Sequence, residues 1–383
     1  MELAYFNVND GFGEAIVRGF RSGFLTSDDY RRLVQCESLE DLRTALDDTD
    51  YGSFMQDEPS PIEVATITRK AKQKLADDFK FLRAQAVSPM DKFLDFVAAE
   101  KMINNVVFLI QGTINNKPRK ELLESPELDP LGWFEEMKTI MATLDSGEGY
   151  RDLYQTILID TPVGPYFEEF LQSMAGEDGA AAMDVNAVLG AADLEIMKNI
   201  LKKAWLEDFH SFCLSCGGTT AEVMGHMLKM EADFRVLLVT MNALNTELGT
   251  ASQKHNRDAL YPNFGYMFPE GAQKIRGAFN EATVRAALDP YAQYVKLYDD
   301  CKDFYEQGSS KTGATKSIED LIYVQNVSMY ELAFEQQYHY GVIYAWTKLR
   351  EQEIRNIEWI SNMITLNRRD HIEEYVPIFK PRV

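Results

Sequence analysis

Three carboxylates in the run DDCKD, Asp299, Asp300 and Asp303, are spaced to share one side of a helical turn. Clustered carboxylates suit a hard cation, and magnesium held there against a diphosphate would assist its departure. That chemistry also needs a second set of metal ligands and basic residues aimed at the diphosphate, and the chain shows no clear example of either. A solvated acidic helix face accounts for the same run without chemistry. His210, Cys213 and Cys216 stand three apart and invite a zinc or redox reading. A structural zinc takes four ligands, usually from two such pairs, and no second pair exists, so these cysteines read as small buried apolar residues. Gly11-Phe12-Gly13 with Gly19 follows no strand, and neither Gly-Lys-Ser/Thr nor Gly-x-Ser-x-Gly occurs. The residues offer no catalytic centre, no metal site and no cofactor site.

A different polar set recurs. EKMINNVVFLIQGT begins at Glu100, EADFRVLLVTMNAL at Glu231 and EQEIRNIEWISNMI at Glu351. Each stretch is too apolar for a solvent-facing helix, yet carries too many charged and amide groups for a plain core helix. Arg235 follows Glu231 by one helical turn and Arg355 follows Glu351 likewise, whereas Glu100 is followed by Asn104. A half-buried carboxylate is costly without a partner. Glu100, Asn104, Glu231, Arg235, Glu351 and Arg355 are therefore expected at interfaces. They either brace equivalent helices against their neighbours or line a concavity that receives another protein.

The elements that must carry these residues are helices. Ser60, Pro61 and Glu63 predict an N-terminus for a helix whose stripe is Ile67, Ala71, Leu75, Phe79 and Leu82, ending before Ser88-Pro89. Phe93, Phe96, Val97, Ile103, Val107 and Ile110 mark the next, with Gly112 near its end. Leu194 to Cys216 reads as a long helix broken at Gly217-Gly218, with a capping box from Thr219 and Glu222 opening its successor. Alternating strand patterns are nearly absent, so the fold class is all-α. Upstream of each long helix stands a companion motif, a short amphipathic turn ending in Leu-Asp or Leu-x-Asp with an aromatic soon after, at Asp41, Asp152 and Thr283. The repeat is domain-sized, which predicts three related helical units over residues 1–118, 119–249 and 250–383 rather than a solenoid. Stretches rich in Pro, Gly, Asn and charge at Asn115 to Gly132 and Thr250 to Gly271 read as their linkers. AGEDGAAA at Ala175 and GSSKTGAT at Gly308 read as insertions.

The chain has 383 residues, 45% hydrophobic and 26% charged, enough for a sizeable core. Its net charge of −21 repels phosphate backbones and anionic headgroups and attracts basic protein surfaces, so no nucleic-acid partner is expected. The opening MELAYFNVND lacks the basic and apolar regions of a secretory signal, and no apolar run nears the ~20 residues of a membrane span. Four cysteines are too sparse for a disulfide framework. These features predict a soluble or peripheral protein in a reducing compartment.

The segments YFNVNDGFGEAIVRGFRSGFLTSDDYRRLVQCESLEDL, TDYGSF, GGTTAEVM, FPEGAQKIRGA, KLREQEIRNIEWI and YVPIF, in order from Tyr5 to Phe379, resemble the d subunits of V-type proton-pumping ATPases and the related C subunits of archaeal A-type rotary ATPases. The resemblance implies a funnel of three related helical domains in pseudo-threefold arrangement, non-catalytic and without bound nucleotide. It implies a rotor position, between the ring of proteolipid c subunits and the axle subunits D and F, with subunit a a further neighbour. It places the protein on the cytoplasmic face of a vacuolar, lysosomal or endosomal membrane, held through the ring with no transmembrane segment of its own. The stretches after Ala175 and from Gln307 to Lys316 depart most from the family pattern. The competing readings are a magnesium-dependent prenyl or terpene synthase-like enzyme using Asp299, Asp300 and Asp303, and an unrelated helical scaffold.

Overall fold

The apolar stripes read from the sequence are helices. The computed structural model describes residues 2–115, 117–133, 161–175, 194–244, 246, 257–307 and 317–379, and every regular element among them is helical. Most of the companion motif that starts at Asp152, and most of the two insertions after Ala175 and Gly308, lie outside the described residues.

Two compact units form, one from Met1–Met90 with Cys213–Val383, the other from Asp91–Phe212. The first opens with α1 (Glu2–Asn9), α2 (Gly11–Phe20), α3 (Ser27–Gln35), α4 (Leu39–Leu46), α5 (Gly52–Met55) and α6 (Val64–Gln85). The second contains α7 (Met90–Ile114), α8 (Arg119–Glu124), α9 (Gly164–Ala175) and α10 (Leu194–Ser215). The chain then returns to the first unit with α11 (Gly218–Ala243), α12 (Glu270–Arg276), α13 (Glu281–Leu288), α14 (Ala292–Gln307), α15 (Ile318–Ala333) and α16 (Gly341–Thr365).

Capping boxes fix where several helices begin. Thr26 with Asp29 starts α3, Ser38 with Asp41 starts α4, Asn280 with Thr283 starts α13 and Ser317 with Asp320 starts α15. Two expected caps do not form. Ile62 is buried and its amide donates to Glu40, which keeps the backbone extended past Ser60, so α6 starts at Val64 behind an extended Glu63. Gly217, at φ +68°, turns the chain into α11 at Gly218, earlier than expected, so Thr219 lies inside the helix and makes no cap with Glu222, and the neighbouring Thr220 hydroxyl accepts from the Tyr340 amide.

In the first unit α16 is the central element, packed on α2, α4, α6, α11 and α15. Eighteen of its 25 residues are buried, too many for one apolar stripe, so it is enclosed on nearly all sides. Val342, Ile343, Trp346, Leu349, Ile357 and Ile360 supply the apolar contacts, each worth about 1.5–3 kcal/mol of burial. In the second unit Phe93 and Phe96 of α7 meet Phe209 of α10, with ring centres 5.4 and 5.3 Å apart, and Trp205 donates its indole N–H to the Phe96 carbonyl at 2.8 Å.

Candidate functional site

A helix enclosed on nearly all sides must take most of its polar side chains inside with it. On α16, Arg350 and Glu353 are one turn apart and almost wholly buried, 2% and 0% exposed at the side chain. Arg350 donates to Glu353 Oε1 and to Asp50 Oδ2, both at 2.7 Å, and to the Gly23 carbonyl at 3.0 Å, while its guanidinium lies 4.5 Å from the centre of the Phe24 ring. The remaining lone pairs of Glu353 are met by the Tyr51 hydroxyl at 2.7 Å and the Leu25 amide at 2.6 Å. Burial pushes the Glu353 carboxyl up, and Arg350, Tyr51 and the Leu25 amide pull against it. The Tyr51 phenol is driven well above its ordinary range, first by burial and then by the Glu353 charge, so it stays a donor.

α11 carries a second such node. Asp233, 1% exposed, accepts from the Tyr266 amide at 2.9 Å, the Met267 amide at 3.2 Å and the Tyr294 hydroxyl at 2.6 Å. Burial raises its carboxyl, opposed by these same donors.

The nodes are built alike. Asp233 stands two residues beyond Glu231, and Glu353 two beyond Glu351. Each receives a tyrosine hydroxyl from just after a short capped helix, Tyr294 after α13 and Tyr51 after α4, and backbone N–H donation from a Gly-aromatic-aliphatic turn, two amides from Gly265-Tyr266-Met267 and one from Gly23-Phe24-Leu25. The interval from Gly23 to Gly265 equals those from Leu25 to Met267 and from Leu46 to Leu288. Both glycines touch their node: a Cβ at Gly265 would stand 2.3 Å from Asp233 Oδ1, and one at Gly23 would stand 2.5 Å from Asp50 Oδ2. Gly265 also adopts φ +139°, which an L side chain resists.

The second unit repeats part of this scheme. Gly132, followed by Trp133, lies so close to α7 that a Cβ there would stand 2.4 Å from the Lys101 carbonyl carbon. Asn105 of α7 clamps the backbone of Asp129 from both sides, accepting from its N–H at 2.8 Å and donating to its C=O at 2.9 Å. Asn356 of α16 grips Val376 in the same two-bond way, at 3.2 and 2.6 Å. Asn105 and Asn356 both stand five residues beyond the glutamates Glu100 and Glu351, so the clamps occupy matching positions.

The residues singled out by sequence lie beside these nodes. Glu100 is buried with Lys202 3.5 Å away, and Asn104 is half-buried with its Oδ1 unpartnered. Glu231 accepts from the Tyr344 hydroxyl, and Arg235 and Glu351 are half-buried. Arg355 is exposed, lying 3.9 Å over the Tyr323 ring and donating to Gln352 at 2.7 Å. Sequence reasoning missed Asp50, Asp233, Arg350, Glu353 and the tyrosines; the recurring Gly-aromatic pairs at Gly23, Gly132 and Gly265 were the signal that leads to them. In the acidic run, Asp299 holds Arg285 at 2.6 Å and Asp300 is exposed, while the Asp303 side chain lies outside the described residues. Cys213 and His210 are buried, and burial pushes the thiols of Cys213 and Cys216 above their ordinary range. Carboxylates whose lone pairs are filled by backbone amides and buried phenols have none left for a substrate, so the nodes hold helices together.

A family model described as ATP synthase (C/AC39) subunit matches residues 13–375. The chain is 41% identical over 377 residues to a "V-type proton ATPase subunit d" of Dictyostelium discoideum, covering 98% of this chain and 97% of that protein. It is 39% identical over 375 residues to "V-type proton ATPase subunit d1" of Arabidopsis thaliana, 98% of each, and 33% identical over 381 residues to the subunit d of Saccharomyces cerevisiae, 99% of this chain and 100% of the relative.

Proposed function

The chain belongs to the ATP synthase (C/AC39) subunit family, a family of non-catalytic stalk subunits, and from that premise we propose that it is a central-rotor subunit of a V-type proton ATPase. In this reading it joins the D and F axle to the ring of c subunits, so that ATP hydrolysis elsewhere in the complex turns the ring and moves protons. The observation that carries the proposal is similarity over nearly the whole chain to proteins named as subunit d. Among the described residues no helix is long and apolar enough to cross a membrane, and in this reading the membrane is reached through the ring. The setting is the cytoplasmic face of an acidified organelle.

The three-unit organisation belongs to the same proposal. Each Gly-aromatic turn seats on a long helix that the division assigns to another unit: Gly265 on α11, Gly132 on α7 and Gly23 on α16. Three units linked in that cyclic order would enclose a central concavity. Glu100, Asn104, Glu231, Arg235, Glu351 and Arg355 would then lie where units or partners meet. Chains of hydrogen-bonded charges inside close-packed helices suit a part that must carry torque without yielding.

Affinity purification of the tagged full-length chain from its own cells in mild detergent tests this. The c-ring and both axle subunits should accompany it. Recovery of the chain with neither would overturn the proposal.

A further inference from the structure

A cavity of about 520 Å³ opens between α1, the start of α11 and the segment leading into α16. Asp10 lines it. Asp10 occupies the N-cap position of α2, where an aspartate ordinarily accepts from the helix amides, but its side chain makes no such bond. It is 6% exposed and its Oδ1 has no partner, while the Tyr340 hydroxyl bonds the carboxyl. A carboxylate held with so little water around it costs free energy that a positive charge entering the cavity beside it would offset. The walls suit a positive donor. Phe6 stands against Tyr340 and Tyr338 with ring centres 5.3 and 6.4 Å apart, so aromatic faces and edges border the space, and Glu222 adds a second carboxylate at its exposed rim. Among the described residues lining it there is no lysine or arginine.

We propose that this cavity binds an organic cation, a primary ammonium or guanidinium group on an apolar stem, with Asp10 as its counter-ion. The group could be the side chain of a neighbouring protein or a free amine. Cys216, half-buried in the cavity wall, reports occupancy, because the other three cysteines are buried.

The test is the rate of Cys216 alkylation by N-ethylmaleimide in the full-length chain, read by peptide mass spectrometry. Agmatine at about 20 mM should slow it roughly threefold, as the factor 1 + [L]/Kd gives for a Kd of ~10 mM. Asp10→Asn should abolish the protection, and 1-butanol should give none. If the cation is a neighbour's side chain, Cys216 in the assembled complex should be protected with no amine added, and Asp10→Asn should restore labelling. Protection that survives Asp10→Asn, or no protection in either setting, overturns the proposal. Should Asp10→Asn fold poorly, Glu222→Gln at the exposed rim replaces it and must weaken protection by agmatine; unchanged protection again overturns it.

Discussion

A carboxylate withdrawn from water is stable only where donors meet its lone pairs, and that rule separates Asp233 and Glu353 from the glutamates two positions earlier. Tyr51→Phe removes one of the donors to Glu353, and a hydrogen bond to a charged group is worth about 1.5–3 kcal/mol. A loss of that size should appear as a lower urea midpoint with unchanged slope. Asp233→Ala strands the amides of Tyr266 and Met267 and the Tyr294 hydroxyl, each costing ~1–3 kcal/mol when orphaned. It should therefore destabilise by at least ~2 kcal/mol more than Glu231→Ala on the same helix; equal losses would reject the node. Acid behaviour follows from Asp29. Burial raises its carboxyl, but the hydroxyl and amide of Thr26 and the Arg32 guanidinium outweigh it, leaving the group below its ordinary range. A depressed value stabilises the fold above about pH 4 and ceases to do so as pH falls through it. Asp29→Asn should accordingly melt lower than the parent at pH 7, with the gap closing in acid.

At the level of elements, the Gly-aromatic turns decide how tightly a loop can lie on a long helix. Gly265→Ala puts a methyl 2.3 Å from Asp233 and forces an L residue to φ +139°, so a loss of about 2–4 kcal/mol is expected in thermal or chemical unfolding. Gly277→Ala, whose Cβ meets nothing nearer than 3.5 Å, should cost far less and serves as the control. The turns also show what the sequence could reveal. Helix boundaries at Ser88-Pro89 and Gly217-Gly218 were legible because proline and glycine act locally. The recurrence of Glu100, Glu231 and Glu351 was legible as a register, while the buried nodes Asp233 and Glu353 stand two positions beyond the second and third of these. Two residues along a helix is about 200° of rotation, enough to exchange one face for the opposite. On α16, apolar nearly all round, periodicity does not say which polar side chain points to the closest neighbour. That depended on Tyr51 and Leu25, hundreds of residues away.

Across the whole molecule, a net charge of −21 favours basic partners and makes their capture salt-dependent. In the proposed rotor role, binding of the chain to the isolated axle pair should weaken as salt rises from about 50 to 500 mM, mostly through a slower association rate. An association rate unchanged across that range would show that charge does not steer the encounter. Amide exchange should be slowest in α16, which is buried along most of its length and anchored at Arg350, Glu353 and Asn356. The Tyr51–Glu353 bond spans 302 residues and has a consequence during synthesis. On the ribosome, α4 and α6 emerge long before their central partner exists, so the first unit cannot finish folding until translation is nearly over. A message truncated before α16 would yield a chain with its polar sockets unfilled and its apolar surfaces bare, a substrate for chaperones and proteases rather than a shorter working part.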